Sequence, residues 1–146
     1  MESLSMFPER LKELMTFREA KAEEVSVAIG VHITNVRAWM RGASLITLQN
    51  AIKLADFFGC SLNYLSGMSD VYEQVPPRNL PPFYGRLRTI MAERGITRYQ
   101  ISRETTIKDV YFTRWAKGAQ PDLITVILLA KKLDVSLDYL IGRTDY

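Results

Sequence analysis

Basic side chains are concentrated between residues 98 and 117, at spacings that suit an anionic ligand. The stretch RYQISRETTIKDVYFTRWAK contains Arg98, Arg103, Lys108, Arg114 and Lys117. Lysine and arginine side chains neutralise phosphate groups and release the counterions that surround them. The chemistry of this stretch is therefore attraction to phosphate.

Catalytic and metal-binding chemistry has few candidates in this chain. Cys60 is the single cysteine, which excludes an intramolecular disulfide and a multi-cysteine metal site, and we interpret it as a small buried residue. His32 is the single histidine, and the sequence contains no HExxH, P-loop, GxGxxG or Ser-His-Asp pattern. We therefore expect no enzyme activity, no metal ion and no cofactor.

A repeat divides the chain and shows which elements carry the basic residues. VRAWMRG at residues 36–42 returns as FTRWAKG at residues 112–118, an offset of 76, and KLADFFGCSLNYLSG later pairs with LLAKKLDVSLDYLIG at an offset of 75. The apolar matches are Phe7 with Phe83, Leu11 with Leu87, Leu14 with Ile90, Met15 with Met91, Val25 with Ile101, Val31 with Ile107 and Val36 with Phe112. The 146 residues therefore hold two copies of one unit, and the second copy has lost one loop residue.

Helical periodicity is clear in both copies, and five short helices are expected in each. In the second copy, PPFYGRLRTIMAERG predicts a first helix that starts after proline and stops at Gly95. In the following TRYQISRET, Thr97 and Gln100 match the capping-box pattern and Ile101 is the expected buried residue. A short second helix is therefore predicted there.

The remaining helices of the second copy follow a turn at residues 105–107. KDVYFTRWAKG predicts a third helix whose inward residues are Phe112, Trp115 and Ala116, at positions i, i+3 and i+4. PDLITVILLAKKL predicts an apolar fourth helix, and Ser136 is expected to cap a short fifth helix. A second and third helix joined by such a turn form a helix-turn-helix arrangement.

The pattern apolar-x-x-Trp-x-base-Gly, followed by SLNYLSG or SLDYLIG, resembles the phage-repressor and Cro-like helix-turn-helix family, often called the XRE family. The resemblance covers nearly the whole chain, twice. It implies an all-α fold of two tandem five-helix lambda-repressor-like domains. It also implies that Trp39 and Trp115 anchor the third helices in the cores, where their large apolar area is best buried.

In this family the third helix enters the major groove of DNA and its exposed residues contact bases. For the second copy, the resemblance implies base contacts by Asp109, Val110, Thr113 and Arg114, phosphate contacts by Arg98, Lys108, Lys117 and Gln120, and a sugar or phosphate contact by Tyr111. The planar fork of Arg114 can bond guanine O6 and N7 together, and Asp109 can accept from cytosine N4. Our preferred alternative for Asp109 is that it caps the third helix.

The first copy offers a poorer surface by the same comparison. Its base positions are Ile33, Thr34, Arg37 and Ala38, its phosphate positions are Lys21, Ala22, His32, Arg41 and Ser44, and Asn35 suits either. The DNA contacts that we expect from this copy are Thr34, Asn35, Arg37 and Arg41. Glu23 and Glu24 favour the helix dipole but oppose phosphate, so this copy is expected to have drifted toward a protein contact.

Two joints differ between the copies. Glu19 and Lys21 stand where the second copy has Gly95 and Thr97, so the first two helices of the first copy are expected to be joined differently. Thr106 stands where the first copy has the turn residue Gly30, and a β-branched residue is poor at positive φ. These differences leave the DNA competence of each copy open.

The domains are predicted at residues 1–71 and 83–146. Between them, YEQVPPRNLPP at residues 72–82 contains four prolines and is expected to be an extended, semi-rigid linker or a simple hinge. Residues 1–70 carry a net charge of −1 and residues 71–146 a net charge of +4. The two copies are therefore electrostatically different.

The composition is ordinary for a soluble globular protein, with 47% hydrophobic and 24% charged residues. No apolar run approaches the roughly 20 residues of a membrane span, and the N-terminus has no apolar core of signal-peptide length. We therefore expect a cytoplasmic protein without a membrane partner.

The leading hypothesis is a sequence-specific DNA-binding transcriptional regulator, a repressor, which reads the major groove mainly with the third helix of the second copy. Its partner is double-stranded DNA, and self-association as a homodimer is favoured because the first copy is a poor reader. The alternative is a protein-interaction or antitoxin-like adaptor that keeps the fold without groove reading, with a protein partner bound through the first copy. The salt dependence of binding to duplex DNA separates the two hypotheses.

Overall fold

The computed structural model describes residues 6–146, so the first five residues of the expected first domain lie outside the described residues. The chain divides into an N-terminal unit that extends to Pro77 and a C-terminal unit that spans Arg78–Tyr146. The N-terminal unit contains α1 (Phe7–Arg18), α2 (Ala22–Ile29), α3 (Ile33–Arg41), α4 (Leu48–Phe58) and α5 (Leu62–Ser66). The C-terminal unit contains α6 (Phe83–Arg94), α7 (Arg98–Glu104), α8 (Asp109–Ala116), α9 (Leu123–Leu133) and α10 (Leu137–Ile141). The predicted all-α fold of two tandem helical domains is confirmed.

Each unit packs its helices around a tryptophan of its third helix. Trp39 is 3% exposed and Trp115 is 6% exposed, as predicted for core anchors. The rings of Phe83 and Phe112 meet Trp115 edge-on, with centroid separations of 5.7 and 5.1 Å. Cys60 is also fully buried, as expected for a small core residue. The contact between Phe83 and Trp115 joins α6 to α8, whereas that between Phe112 and Trp115 lies within α8.

Local capping determines where several helices begin and end. Thr97 Oγ1 accepts from the backbone N–H of Gln100 at 3.1 Å, and Gln100 Oε1 accepts from the N–H of Thr97 at 2.8 Å. Ser136 Oγ accepts from the N–H of Tyr139 at 3.0 Å, and Gly95 ends α6 in the left-handed region. The predicted capping box, the cap of the fifth helix and the end of the first helix are confirmed.

The prediction that Ala116 of the third helix faces the core is wrong. Phe112 and Trp115 are buried, but Ala116 is exposed. Ala116 is the last residue of α8, and the chain leaves the helix at Lys117. No later helical turn therefore carries this side chain against the core.

The two copies follow the same backbone path between their first two helices, but they begin the second helix differently. Thr97 forms a capping box on α7, whereas Lys21, the N-cap of α2, makes no side-chain cap. The difference expected from Lys21 is confirmed, and that expected from Glu19 is wrong. Glu19 adopts φ 57° and ψ 36° after α1, close to the φ 66° and ψ 30° of Gly95 after α6. The next residue in each copy donates back to its first helix, Ala20 to Met15 O at 2.8 Å and Ile96 to Met91 O at 3.0 Å. Glu19 thus holds a left-handed conformation that glycine adopts without a steric penalty.

The turn between the second and third helices does differ. In the N-terminal unit Gly30 ends α2 at φ 73°, whereas in the C-terminal unit Thr105 ends α7 with extended φ −133° and ψ 177°. The Thr105 hydroxyl donates to Ile101 O at 2.6 Å and accepts from the N–H of Ile107 at 3.0 Å. Among residues 6–146, the non-glycine residues with positive φ are Glu19 and Asp134, so Thr106 is not strained in the way its sequence position suggests.

An arginine clamp closes each unit by tying its first helix to its last. Arg10 Nη1 donates to the backbone oxygen of Tyr64 at 2.5 Å, and its guanidinium carbon lies 4.1 Å from the centroid of the Tyr64 ring. Arg86 makes the same pair of contacts with Tyr139, a hydrogen bond of 2.8 Å to the backbone oxygen and a ring contact at 4.7 Å. A cation over an aromatic face adds to the hydrogen bond, so both contacts hold the terminal helices together.

The predicted linker, residues 72–82, straddles the boundary between the units. On the N-terminal side, Glu73 O accepts from the N–H of Ser61 at 2.9 Å and Val75 is 2% exposed. On the C-terminal side, Arg78 Nη1 forms an ion pair with Asp145 Oδ1 at 2.9 Å. Each half of the segment is therefore packed on its own unit, and the domain boundaries and the linker stay predictions.

The C-terminal unit buries an ion pair between α10 and the residues that follow it. Arg143 Nη1 lies 2.5 Å from Asp138 Oδ1, and the two side chains are only 1% and 4% exposed. The repeat places Asn63 and Met68 at the equivalent positions of the N-terminal unit. Asn63 and Met68 are half-buried, so the N-terminal unit has neutral and more accessible side chains where the C-terminal unit buries a pair of charges.

Candidate nucleic-acid interface

The third helix of the C-terminal unit presents the side chains that the sequence singles out. The buried side chains of Phe112 and Trp115 pack α8 against the core. The opposite side of the helix exposes Asp109, Val110, Thr113 and Arg114. Lys108, Lys117 and Gln120 are exposed at the two ends of the helix. Tyr111 is half-buried, and its ring centroid lies 5.7 Å from the guanidinium carbon of Arg114 and 6.2 Å from the ring of Trp115. The packing of Tyr111 therefore limits how far it extends from the helix.

Arg98, the first residue of α7, reaches across to α8. Its Nε lies 2.7 Å from Asp109 Oδ1, and its Nη2 donates to Thr113 Oγ1 at 2.8 Å and to the backbone oxygen of Asp109 at 3.0 Å. The guanidinium also lies 5.3 Å above the ring of Phe112. We call Arg98, Asp109 and Thr113 the α7–α8 latch. It holds the second helix against the first turn and the middle of the third.

The latch is also an electrostatic unit. The hydrogen bond from Arg98 to Asp109, together with the negative charge of the carboxylate, raises the pKa of the guanidinium above its usual value. The negative carboxylate lies in the first turn of α8, where the helix dipole stabilises it. The charges of one predicted phosphate contact and one predicted base contact therefore compensate each other.

The prediction that Asp109 caps the third helix is wrong. Lys108 is the N-cap residue of α8, and it makes no hydrogen bond from its side chain to the helix. Asp109 is the first helical residue, one position too late for a cap, and its carboxylate accepts from Arg98 instead. The pattern of charges in the sequence does not reveal this bond, because Arg98 and Asp109 are eleven residues apart and belong to different helices.

Two more residues of α7 take part in surface interactions that the sequence analysis did not assign. Tyr99 is 66% exposed, and its hydroxyl accepts from Arg103 Nη1 at 3.4 Å. Glu104 forms an ion pair with Lys132 of α9, which lowers the pKa of the Glu104 carboxyl through the hydrogen bond and the charge of the lysine. The sequence could have indicated a surface interaction for Tyr99, since this large aromatic residue directly follows Arg98 at the start of a predicted helix.

The third helix of the N-terminal unit exposes a different set of side chains. Thr34, Asn35, Arg37 and Arg41 are exposed on α3. His32 is the N-cap, because its Nδ1 accepts from the N–H of Thr34 at 3.2 Å, which engages the side chain that we expected near phosphate. The position equivalent to Arg98 is Ala22, so no latch can form in this unit.

The two third helices therefore differ in which side chains are available for a ligand. In the C-terminal unit the latch engages Arg98, Asp109 and Thr113, and Arg114 with Lys117 remains outside it. In the N-terminal unit Arg37 occupies the position of Thr113, and Ala38 that of Arg114. The arginines of the two units thus lie at adjacent positions along equivalent helices.

Comparison with protein families gives two matches to one family model, described as helix-turn-helix. The matches cover residues 14–65 and 87–140, most of each copy, and each includes the second helix, the turn and the third helix. No curated protein and no solved structure matches the chain significantly. Within the described part of the chain, no helix has both the length and the apolar character needed to cross a bilayer.

Proposed function

Since the chain belongs to the helix-turn-helix family of the XRE and Cro-like type, we propose that it is a sequence-specific transcriptional regulator, a repressor, that reads the major groove mainly with α8. The family is one of DNA-binding regulators, which supports binding to duplex DNA. We assign the reading of the groove to the C-terminal unit. A cytoplasmic location, as expected from the sequence, is proposed with it.

The exposed cationic side chains of α8 and of the residues beside it support the proposal. Lys108, Arg114 and Lys117 are exposed along one helix of eight residues and its two ends, and the latch lies beside them. A row of cations along a helix that fits the major groove can contact phosphates at both ends and a base between them. Arg114 is the side chain best suited to a guanine, and Val110, which is 46% exposed, can pack on a thymine methyl group.

The N-terminal unit supports a weaker role in DNA binding. Lys21, Arg37 and Arg41 are its cations along the same elements, while Glu23 and Glu24 lie exposed in the first turn of α2. In the C-terminal unit the only acidic residue at the start of α8 is Asp109, and Arg98 neutralises it. The attraction to phosphate is therefore expected to be stronger at the C-terminal unit.

Arg114→Ala should weaken binding to a selected duplex by about 1–3 kcal/mol and relax the preference at one base pair, because the guanidinium fork contacts a base. Lys117→Ala should weaken binding to all DNA sequences alike, because the lysine contacts phosphate. It should also lower the slope of log affinity against log salt concentration by about one. The measurement is a titration of each variant against selected and scrambled duplexes at two salt concentrations.

Arg37→Ala and Arg41→Ala are the matched controls in the N-terminal unit. Arg41 occupies the position of Lys117 in the repeat, so the two substitutions remove equivalent charges. Smaller losses are expected from the N-terminal pair. Larger losses from that pair would move the reading head to residues 32–41.

Arg98→Ala should weaken binding by about tenfold, because it frees the carboxylate of Asp109 to repel the phosphates nearby. If Arg98 acts by positioning α8 and neutralising Asp109, the additional substitution Asp109→Ala should recover most of the lost affinity. Both variants are titrated against the same duplex at one salt concentration, and the salt slope is measured for each.

Arg103→Ala is the control for the loss of a positive charge on α7. Arg103 bonds to the hydroxyl of Tyr99 and acts on Glu104 through its charge alone, and Glu104 keeps its ion pair with Lys132 when Arg103 is removed. A double variant as weak as Arg98→Ala, with a salt slope lower by about one, would instead assign Arg98 a direct contact with phosphate.

The second candidate function is that of a protein-interaction or antitoxin-like adaptor. The exposure of Val27 favours this candidate. This apolar side chain is 78% exposed on α2 of the unit with the poorer DNA surface. Binding to duplex DNA that is negligible, or that changes little between low and moderate salt, would favour the adaptor over the regulator.

A further inference from the structure

A shallow groove lies between α2 and α4 of the N-terminal unit. Val27 and Ala28 of α2 line one side, and Lys53, Asp56 and Phe57 of α4 line the other. Val27 is 78% exposed, and Ala28 is exposed beside it. The guanidinium carbon of Arg18 lies 4.9 Å from the centroid of the Phe57 ring and holds that ring at the edge of the groove.

The C-terminal unit has charged residues at the same place. The positions equivalent to Val27 and Ala28 are Arg103 and Glu104, and those equivalent to Asp56 and Phe57 are Lys131 and Lys132. Glu104 and Lys132 form an ion pair across the surface that corresponds to the groove. The position equivalent to Lys53 is Leu128. The C-terminal unit thus carries four charged side chains and one leucine at this surface, whereas the N-terminal unit carries two charged side chains beside Val27, Ala28 and Phe57. The larger apolar share in the N-terminal unit is therefore not a requirement of the fold.

We propose that a second copy of this chain docks in the α2–α4 groove, so that the protein is a two-fold symmetric dimer through its N-terminal units. The interface is isologous, with the same apolar patch on both sides. Val27 of one chain packs against Phe57 of the other, which removes both side chains from water. The DNA-reading role of α8 is not required for this interface.

The charges on α4 favour a second copy as the occupant. Lys53 and Asp56 are three residues apart, and both line the groove. When two α4 helices lie antiparallel about a two-fold axis that passes level with the midpoint between these residues, Lys53 of each chain faces the partner's Asp56. The charged rim of the groove is therefore complementary to itself.

The interface is small, so the dimer is expected to be weak. A groove between two short helices buries less area than a standard interface, and a dissociation constant on the order of 10–100 μM is expected. Each dimer then contains two C-terminal units, as paired half-sites require. Both could contact one DNA molecule, and the weak dimer would be stabilised by the bound duplex.

The first test replaces groove residues with those that the C-terminal unit already tolerates. Val27→Arg and Phe57→Lys are expected to weaken dimerisation of the full chain at least about tenfold, measured by analytical ultracentrifugation. Leu45→Gln is the control, because Leu45 is 61% exposed and lies outside the groove. Circular dichroism shows whether each variant keeps its helices.

The second test uses charge reversal and identifies the partner surface. Lys53→Asp and Asp56→Lys each place like charges opposite one another and should each weaken the dimer about tenfold. A mixture of the two variants should form a heterodimer with near wild-type affinity, because each altered residue then meets its complement. A charge pair within one chain cannot produce this recovery.

A wild-type chain that stays monomeric up to about 200 μM would overturn the proposal, because that exceeds the expected dissociation constant. A dimer that is unaffected by Val27→Arg and Phe57→Lys in folded variants would also overturn it, by showing that the chains associate elsewhere. Charge-reversal variants that do not recover on mixing would overturn the antiparallel arrangement of α4.

Discussion

Trp115→Ala is expected to unfold the C-terminal unit. Removing a buried indole costs about 3–5 kcal/mol, because the apolar contacts are lost and a cavity remains. A unit of this size has a small margin of stability, and the aromatic contacts with Phe83 and Phe112 are lost together. The loss should appear as a lower helical signal in circular dichroism and as the loss of one thermal transition, while the helices of the N-terminal unit remain.

Trp115→Phe is the matched control, because it keeps an aromatic ring in the same cavity. It should reduce the midpoint of thermal unfolding less than the alanine variant. If Trp115→Ala keeps both its helicity and its midpoint, the contribution of this side chain to the core is small. If all helices are lost together, the two units do not unfold independently.

Arg143→Met is expected to destabilise the C-terminal unit by about 3–5 kcal/mol, because it leaves the carboxylate of Asp138 buried without its charged partner. Asp138 and Arg143 are almost completely inaccessible to solvent, so water cannot replace the lost ion pair. Chemical denaturation followed by circular dichroism gives the free energy of unfolding. The slope of the transition shows whether the mechanism of unfolding is unchanged.

The double variant Asp138→Asn with Arg143→Met is the control for the effect of Arg143→Met. It installs the side chains that Asn63 and Met68 supply in the N-terminal unit, and it removes both charges at once. Because replacing a whole buried pair is often nearly neutral, the double variant should regain most of the stability that the single variant loses. Equal instability of the two variants would show that the ion pair itself, not the unpaired charge, determines the effect.

The parts of the fold that the sequence predicted depend on close neighbours in the chain. The capping box of Thr97 and Gln100, the cap at Ser136 and the burial of Trp39 and Trp115 each follow from residues within one or two helical turns. The family resemblance added the order of the helices, and the structure confirms it. Such features are predictable because the favourable contacts are local.

The parts that the sequence did not predict include a contact between helices and a helix cap. Asp109 lies in the first turn of α8, one position after the N-cap, and Arg98 from the preceding helix binds its carboxylate. Glu19 has an intrinsic preference against left-handed backbone, yet it ends α1 in that conformation, where the N–H groups of Glu19 and Ala20 bond back to the helix. For Asp109 the missed feature is a contact between helices, and for Glu19 it is a helix cap whose backbone hydrogen bonds outweigh the preference of the residue type.

The candidate site also combines features that the sequence predicted with features that it did not. Composition and the family resemblance identified α8, and its residues Val110, Arg114 and Lys117 do lie exposed. Their partners were not predicted, since the latch bonds Arg98 to Thr113, which stays exposed, across fifteen positions of the sequence. The assignment of individual DNA contacts stays a prediction for the titrations described above.

The arginine clamp has a consequence for how such a chain could arise. Arg10 with Tyr64, and Arg86 with Tyr139, hold the first helix of a unit beside its last, so the polypeptide enters and leaves each unit at neighbouring points. A gene segment that encodes such a unit can be copied in tandem without rerouting the chain through an existing core. Once copied, one unit could keep its ancestral surface while the other accumulated substitutions, because each closes on itself.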